Sequence, residues 1–188
     1  MDTAMAASDC FQVVPRHPLR GITTVPGDKS ISHRAVIFGA LAKGITHVRG
    51  WLAAGDTEAS LASIQALGVP IERLGPSELI VHGGQLHSPQ AVLNLVNAGT
   101  GIRLLAGIMC GQPFESVLDG SEQLRRRPMK RIITPLREMG AEISGVNDRA
   151  PLTIKPSTLH GIYYEMPVAS AQVKSAILLA GLFAQGQT

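Results

Sequence analysis

The residues best able to do chemistry lie in four short clusters, and all four suit the binding of small anions. The first is Pro26-Gly27-Asp28-Lys29-Ser30-Ile31-Ser32-His33-Arg34, where a Pro-Gly turn leads straight into an apolar helical pattern. A helix start offers unpaired N–H groups and the positive end of the dipole. Lys29 and Ser30 sit at that start, and Ser30 and Arg34, four residues apart, share a face. An ammonium, a hydroxyl and a guanidinium there can hold a phosphate or a carboxylate. The plainer alternative is that Asp28 or Ser30 only caps the helix while Lys29 and Arg34 are solvated. The second cluster, Asn97-Ala98-Gly99-Thr100, opens another apolar helix, with small residues that admit a ligand to the backbone. A simple Asn or Thr cap is the alternative. The third, Ser170-Ala171-Gln172, opens a further apolar helix. The fourth is Arg127, held extended by Pro128, at the end of Arg125-Arg126-Arg127. Arg125 and Arg126 read as a solvated basic loop.

Other chemistries find no support. The six histidines (17, 33, 47, 82, 87 and 160) are scattered without HExxH or CxxC companions, which argues against a metal site. No nucleophile elbow, Walker A loop or dinucleotide fingerprint is present. Met109, Met129, Met139 and Met166 read as core, and His33 as structural.

The chain has 188 residues, 45% hydrophobic and 16% charged, so it has enough apolar surface to fold. Cys10 and Cys110 are too few for a disulfide scaffold, which favours a reducing, cytoplasmic setting. No run of apolar residues is long enough to span a membrane, and the first ten residues fit neither a signal nor a transit peptide. The net charge of +3 is too small to argue for nucleic acid, but the segment from Arg125 to Arg137 carries six cations and no acid. A local cationic patch on a nearly neutral chain fits a small anionic ligand.

The elements that must position these residues repeat. Ser30 to Lys43 reads as a helix with the stripe Ile31, Ala35, Phe38 and Ala42, stopped by Gly44. A strand follows (Ile45 to Leu52), then a helix from Thr57 to Leu67 with Asp56 as N-cap and Gly68 as stop. Val69 to Arg73 and Glu78 to His82 form a hairpin around Gly75-Pro76. The pattern returns as a helix from Gly101 to Cys110 and a strand from Phe114 to Leu118. Next come a helix with Pro128 in its first turn and a hairpin of Ala141 to Ser144 with Pro151 to Ile154. Arg34 and Arg103 are 69 residues apart, and Gly68 and Gly140 are 72 apart. The unit is therefore β-α-β-α-β-β. A third copy starts with a helix from Val173 to Phe183, ended by Gly186, and goes no further. The expectation is an α/β chain of two complete repeats (about 24–84 and 90–156) and the start of a third (about 160–188), a piece of a longer protein.

The run PGDKSISHRA (Pro26 to Ala35) resembles the signature of the 5-enolpyruvylshikimate-3-phosphate (EPSP) synthase family. Asn97-Ala98-Gly99-Thr100 with Arg103, Arg127-Pro128-Met129, and Ser170-Ala171-Gln172 match it in the same order. Residues 136–143 and 168–182 resemble its bacterial class II branch. The resemblance implies an inverse α/β barrel of two domains, each of three such units. Residues 1–23 would carry a strand of the opposite domain, and residues 24–188 would be an incomplete substrate-binding domain. It implies transfer of the enolpyruvyl group of phosphoenolpyruvate to shikimate 3-phosphate, without a metal or organic cofactor. It also implies inhibition by the herbicide glyphosate.

By the same resemblance, Lys29 is catalytic and contacts phosphoenolpyruvate. Ser30 and Arg34 bind shikimate 3-phosphate. Gly99 and Arg127 line the phosphoenolpyruvate subsite, with Thr100 close by, and Asn97 is a further substrate-binding residue. Ser170, Ala171 and Gln172 hold shikimate 3-phosphate, with Ala171 standing where Ser is common in the family. The family's catalytic carboxylates lie in the other domain, so the chain alone is expected to be inactive and to need a complementary C-terminal fragment. The competing readings are a non-catalytic binding module, the related UDP-N-acetylglucosamine enolpyruvyl transferase, which lacks PGDKSISHR, and an RNA-handling protein. Few aromatics and a weak net charge count against the last.

Overall fold

The computed structural model describes Val14, His17, Pro18 and residues 20–188. Of the expected N-terminal strand segment, residues 1–13, 15, 16 and 19, Cys10 among them, lie outside those residues. Residues 20–28 form no helix or strand, and Ile22 and Val25 are exposed.

Helix α1 (Lys29–Leu41) leads into strand β1 (Gly44–Arg49), helix α2 (Gly55–Ala66) and the hairpin β2 (Ile71–Gly75) and β3 (Glu78–Gly83). These strands make an antiparallel sheet in the order β1-β3-β2, with Gly44 opposite Gly83 and Arg49 opposite Glu78. The second unit opens on a short strand, β4 (Leu93–Asn94), that the sequence did not delimit. Helix α3 (Gly99–Met109), strand β5 (Ser116–Asp119), and helices α4 (Glu122–Arg125) and α5 (Lys130–Glu138) follow. Strands β6 (Glu142–Gly145) and β7 (Leu152–Lys155) complete a sheet in the order β4-β5-β7-β6, with β4 and β5 parallel. Helix α6 (Ala171–Gly181) begins the third unit. The second unit follows the β-α-β-α-β-β reading with the short α4 added, while the first runs α-β-α-β-β with no opening strand among the described residues, in two open sheets of mixed α/β character.

One apolar cluster joins both sheets and all the long helices. Helix α3 is at its centre: Ile102, Leu104, Leu105, Ile108 and Met109 are all inaccessible to solvent. It packs along α6 and also meets α1, α2 and α5.

Four expectations need correction. The stripe Ile31, Ala35, Phe38 and Ala42 is not the buried face of α1. Ile31 and Phe38 are 68% and 47% exposed, while Ser32, His33, Val36, Ile37, Gly39 and Ala40 face inward. The serine of that face is satisfied inside: its hydroxyl donates to the Asp28 carbonyl (2.7 Å) and accepts from the Leu52 N–H (2.9 Å), whereas His33 Nε2 is buried with no hydrogen-bond partner among the described residues. Small residues there let the helix lie close to its sheet, for a Cβ at Gly39 would come within 3.2 Å of Val81. Asp56 is not the N-cap of α2. Ala54 occupies that place, and the Thr57 hydroxyl accepts from its N–H (3.1 Å). Pro128 lies outside α5, whose N-cap is Met129, tied by its N–H to the Asp148 carbonyl (2.9 Å). Gly186 does not stop α6, which ends at Gly181 with Leu182 as cap. Gly186 instead takes a left-handed turn (φ +89°) five residues later.

Candidate active site

The first turns of α1, α3 and α6 are linked by their side chains. Each helix carries, at its fifth or sixth residue, a donor that bonds the carbonyl four residues back. Arg34 donates to Ser30 O (3.2 Å), Arg103 to Gly99 O (2.9 Å), and the Ser175 hydroxyl to Ala171 O (2.7 Å). The two arginines then cross to α6. Arg34 Nη2 donates to Ser175 Oγ (2.9 Å) and Arg103 Nη1 to Gln172 Oε1 (2.9 Å). Gln172 Nε2 donates in turn to Thr100 Oγ1 (3.0 Å), and Arg103 Nη2 to the Pro128 carbonyl (3.3 Å).

Two groups of expected residues are thereby brought together. One is Gly99, Thr100, Arg127 and Gln172. Gly99 is buried, and a Cβ there would stand 2.5 Å from Arg127 Nη1 and 3.2 Å from Arg103 Nη1, so both guanidiniums lie over its backbone. The other is Ser30, Arg34 and Ala171, joined through Ser175. The tip of α3 has no side-chain cap, its N-cap being Ala98. Its free N–H groups and two guanidiniums make a positive corner, with no salt bridge to Arg103 or Arg127 among the described residues. Burial, then the charges of Arg127 and Arg131, hold the Arg103 guanidinium below its usual basicity.

The remaining expected residues have other partners. Lys29 pairs with Asp56 of α2 (2.8 Å), and Asp28 caps α1 by accepting from the Ile31 N–H (2.7 Å). The α1 tip is thus partly neutralised by Asp28 and by Asp56 of α2. Asn97 bonds Gln123 and accepts from the Ser121 hydroxyl (3.0 Å), which anchors α4. Ser170 caps α6, accepting from the Val173 N–H (3.4 Å). Arg125 pairs with Asp119 and Arg126 with Glu122, as solvated loop residues do. Among the described residues no group of three potential ligands could hold a metal. Cys110 is buried, which pushes its thiol up to about 12 and leaves it unreactive.

The sequence reading passed over Arg103, Ser175 and Asp56 as site residues. The first two were detectable: Arg103 follows Arg34 by 69 residues, and Ser175 follows Arg103 by 72, the two offsets of the repeat. Asp56 carries no such mark.

His33 lies on the inward face of α1, against α2. It is 1% exposed, with Nδ1 2.8 Å from the Ser60 hydroxyl. Burial lowers its pKa from the ordinary 6.5, against the pull of Asp56 and with the help of Lys29 and Arg34. The unfolded chain therefore takes up a proton near pH 6.5 that the folded chain refuses. Stability should be full above that pH and fall as the pH drops toward the depressed value. Urea midpoints between pH 8 and pH 5 should decline, and His33→Gln should flatten that decline. An equal slope in the variant would assign the acid sensitivity elsewhere.

The profile of the family described as EPSP synthase (3-phosphoshikimate 1-carboxyvinyltransferase) matches residues 13–188. A 3-phosphoshikimate 1-carboxyvinyltransferase from Acidithiobacillus ferrooxidans is 53% identical over 181 residues, 95% of this chain and 42% of the relative. One from Chloroflexus aggregans is 53% identical over 173 residues, 89% of this chain and 40% of the relative. The solved structure of EPSP synthase from Acinetobacter baumannii superposes with a TM-score of 0.85 at 48% identity, over 88% of this chain and 39% of that one. The chain spans about 40% of the length of the curated relatives it matches.

Proposed function

The chain belongs to the EPSP synthase family, and from that premise we propose that it supplies the helix-tip half of a 3-phosphoshikimate 1-carboxyvinyltransferase. The reaction joins phosphoenolpyruvate and shikimate 3-phosphate. The alkene carbon gains a proton, the 5-hydroxyl of the shikimate adds to the neighbouring carbon, and a tetrahedral ketal phosphate forms. Loss of inorganic phosphate and of a proton restores the alkene. Both substrates are anions, so catalysis needs fixed positive groups in a site shielded from water.

The single observation that carries this reading is the bonding of the three helix tips: Arg34 of α1 to Ser175, and Thr100 of α3 to Gln172, both on α6. Arg127, Gly99 and Thr100 would face the phosphoenolpyruvate carboxylate and phosphate, with Asn97 behind them holding α4. Ser30, Arg34, Ser170 and Gln172 would take shikimate 3-phosphate, and Ala171 would offer backbone only. Lys29, released from or shared with Asp56, would stand by the attacking hydroxyl. The reaction leaves no electron unbalanced and needs no redox cofactor. Residues 24–188 would form most of one domain, residues 1–23 would serve the other, and the enzyme would work in the cytoplasm.

Phosphate release tests the proposal. The 188-residue chain alone should give none from the two substrates, because groups from a second half are required. Mixing it with the remaining portion of the Acidithiobacillus ferrooxidans relative should start turnover. Turnover by the chain alone would overturn the two-half reading. An assembled pair that binds neither substrate would overturn the assignment of the site.

A further inference from the structure

Arg103 meets only neutral acceptors: the Gly99 and Pro128 carbonyls and the Gln172 amide oxygen. This settles the orientation of two other side chains. A guanidinium has donors and no acceptor, so the Gln172 atom facing it must be Oε1. The Gln172 nitrogen therefore faces Thr100 Oγ1 at 3.0 Å. That nitrogen carries only donors, so the Thr100 oxygen must accept. No hydrogen bond donated by the Thr100 hydroxyl exists among the described residues. Its proton remains free to be donated away from Gln172, on the first turn of α3, whose N-cap Ala98 supplies no side-chain bond.

We infer that Arg103 is a positioning residue that sets the direction of a hydrogen-bond chain, guanidinium to Gln172 to Thr100, so that Thr100 offers a proton and not a lone pair to the bound anion. The inference rests on the anion site proposed above and adds a selection rule to it. The corner favours fully ionised phosphate or carboxylate oxygens, which only accept, over protonated or amide groups that would need to donate. The repeat supports a separate task for this arginine. Its counterpart Arg34 makes the same bond to its own helix but ends on Ser175, whose hydroxyl is already committed to Ala171 O, so no proton is passed outward there.

Two measurements on the 188-residue chain test this. In nuclear magnetic resonance spectra without ligand, the Gln172 side-chain amide should show two well-separated protons that exchange slowly with solvent. Arg103→Lys keeps the charge but loses the planar fork, and should merge or broaden them while the thermal midpoint stays within a few degrees. The second measurement is inorganic phosphate binding. Thr100→Val should weaken it roughly tenfold in the parent chain, the loss of one charge-assisted hydrogen bond. In the Arg103→Lys background the same change should matter less than roughly twofold, since the hydroxyl is no longer aimed. An equal Thr100→Val loss in both backgrounds, or Gln172 signals indifferent to Arg103→Lys, would overturn the positioning role. Absence of any phosphate response in the parent chain would instead overturn the anion site, leaving the Gln172 signals to decide the orientation.

Discussion

Replacing Gly107 by valine should separate α6 from α3 and remove at least about 3 kcal/mol of stability, the upper range of overpacking costs. A Cβ at Gly107 would fall far inside contact distance of the Ala176 carbonyl oxygen, and 3.0 Å from both the carbonyl carbon and the Cα of Ala176. These are backbone atoms of the facing helix, so no rotamer change relieves the clash. The two helices pack along their lengths here, and Ala176 and Ala180 are wholly buried. Because α6 carries Gln172 and Ser175, moving it also breaks both links to the other helix tips. Urea unfolding should show the loss, and the Gln172 amide signals should disappear with it. Gly55→Ala serves as the control. A Cβ there meets nothing within 4 Å, and the first turn of α2 should be stabilised slightly. A Gly107→Val midpoint equal to that of the parent would mean that α3 and α6 do not approach as described.

In the assembled enzyme, Gly99→Ala should raise the glyphosate inhibition constant by roughly tenfold or more, from about 1–3 kcal/mol of crowding. The added methyl would stand 2.5 Å from Arg127 Nη1. Arg127 is a flexible side chain, so the fold should survive, but its guanidinium must withdraw from the backbone it now covers. An anion held between that guanidinium and the α3 tip loses room and charge together. Phosphoenolpyruvate, which has one fewer atom between its carboxylate and its phosphorus, should suffer less, so its KM should rise by a smaller factor than the inhibition constant. The check is a paired measurement of both constants in parent and variant. Unchanged inhibition would show that glyphosate does not occupy the space over Gly99.

The repeat was readable because Gly and Pro punctuate it at steady intervals and because a helix start leaves a composition mark. Gly99, Thr100 and Gln172 stand out on that ground and Arg127 through its neighbour Pro128, and the structure sets them side by side. The inward face of α1 was not readable. Hydrophobic periodicity counts side chains as though polar ones belong outside, whereas Ser32 and His33 are buried against Leu52 and Ser60, 20 and 27 residues away in sequence. Such partners come from the tertiary fold, and a local window does not contain them. The same limit applies to Lys29 with Asp56, and to Asn97, whose partners on α4 belong to a short helix without hydrophobic periodicity. Arg103 is a different case: its spacing was noted, but an arginine inside a helix gave no hint that it would bond three separate segments.

The recurring bond to the carbonyl four residues back has arginine as donor in the first two units and serine in the third. Equivalent positions of the three helices thus share a bond while differing in head group. A ligand without threefold symmetry requires unequal corners. A common frame with a different donor at one position of each helix can tell one end of an asymmetric molecule from the other.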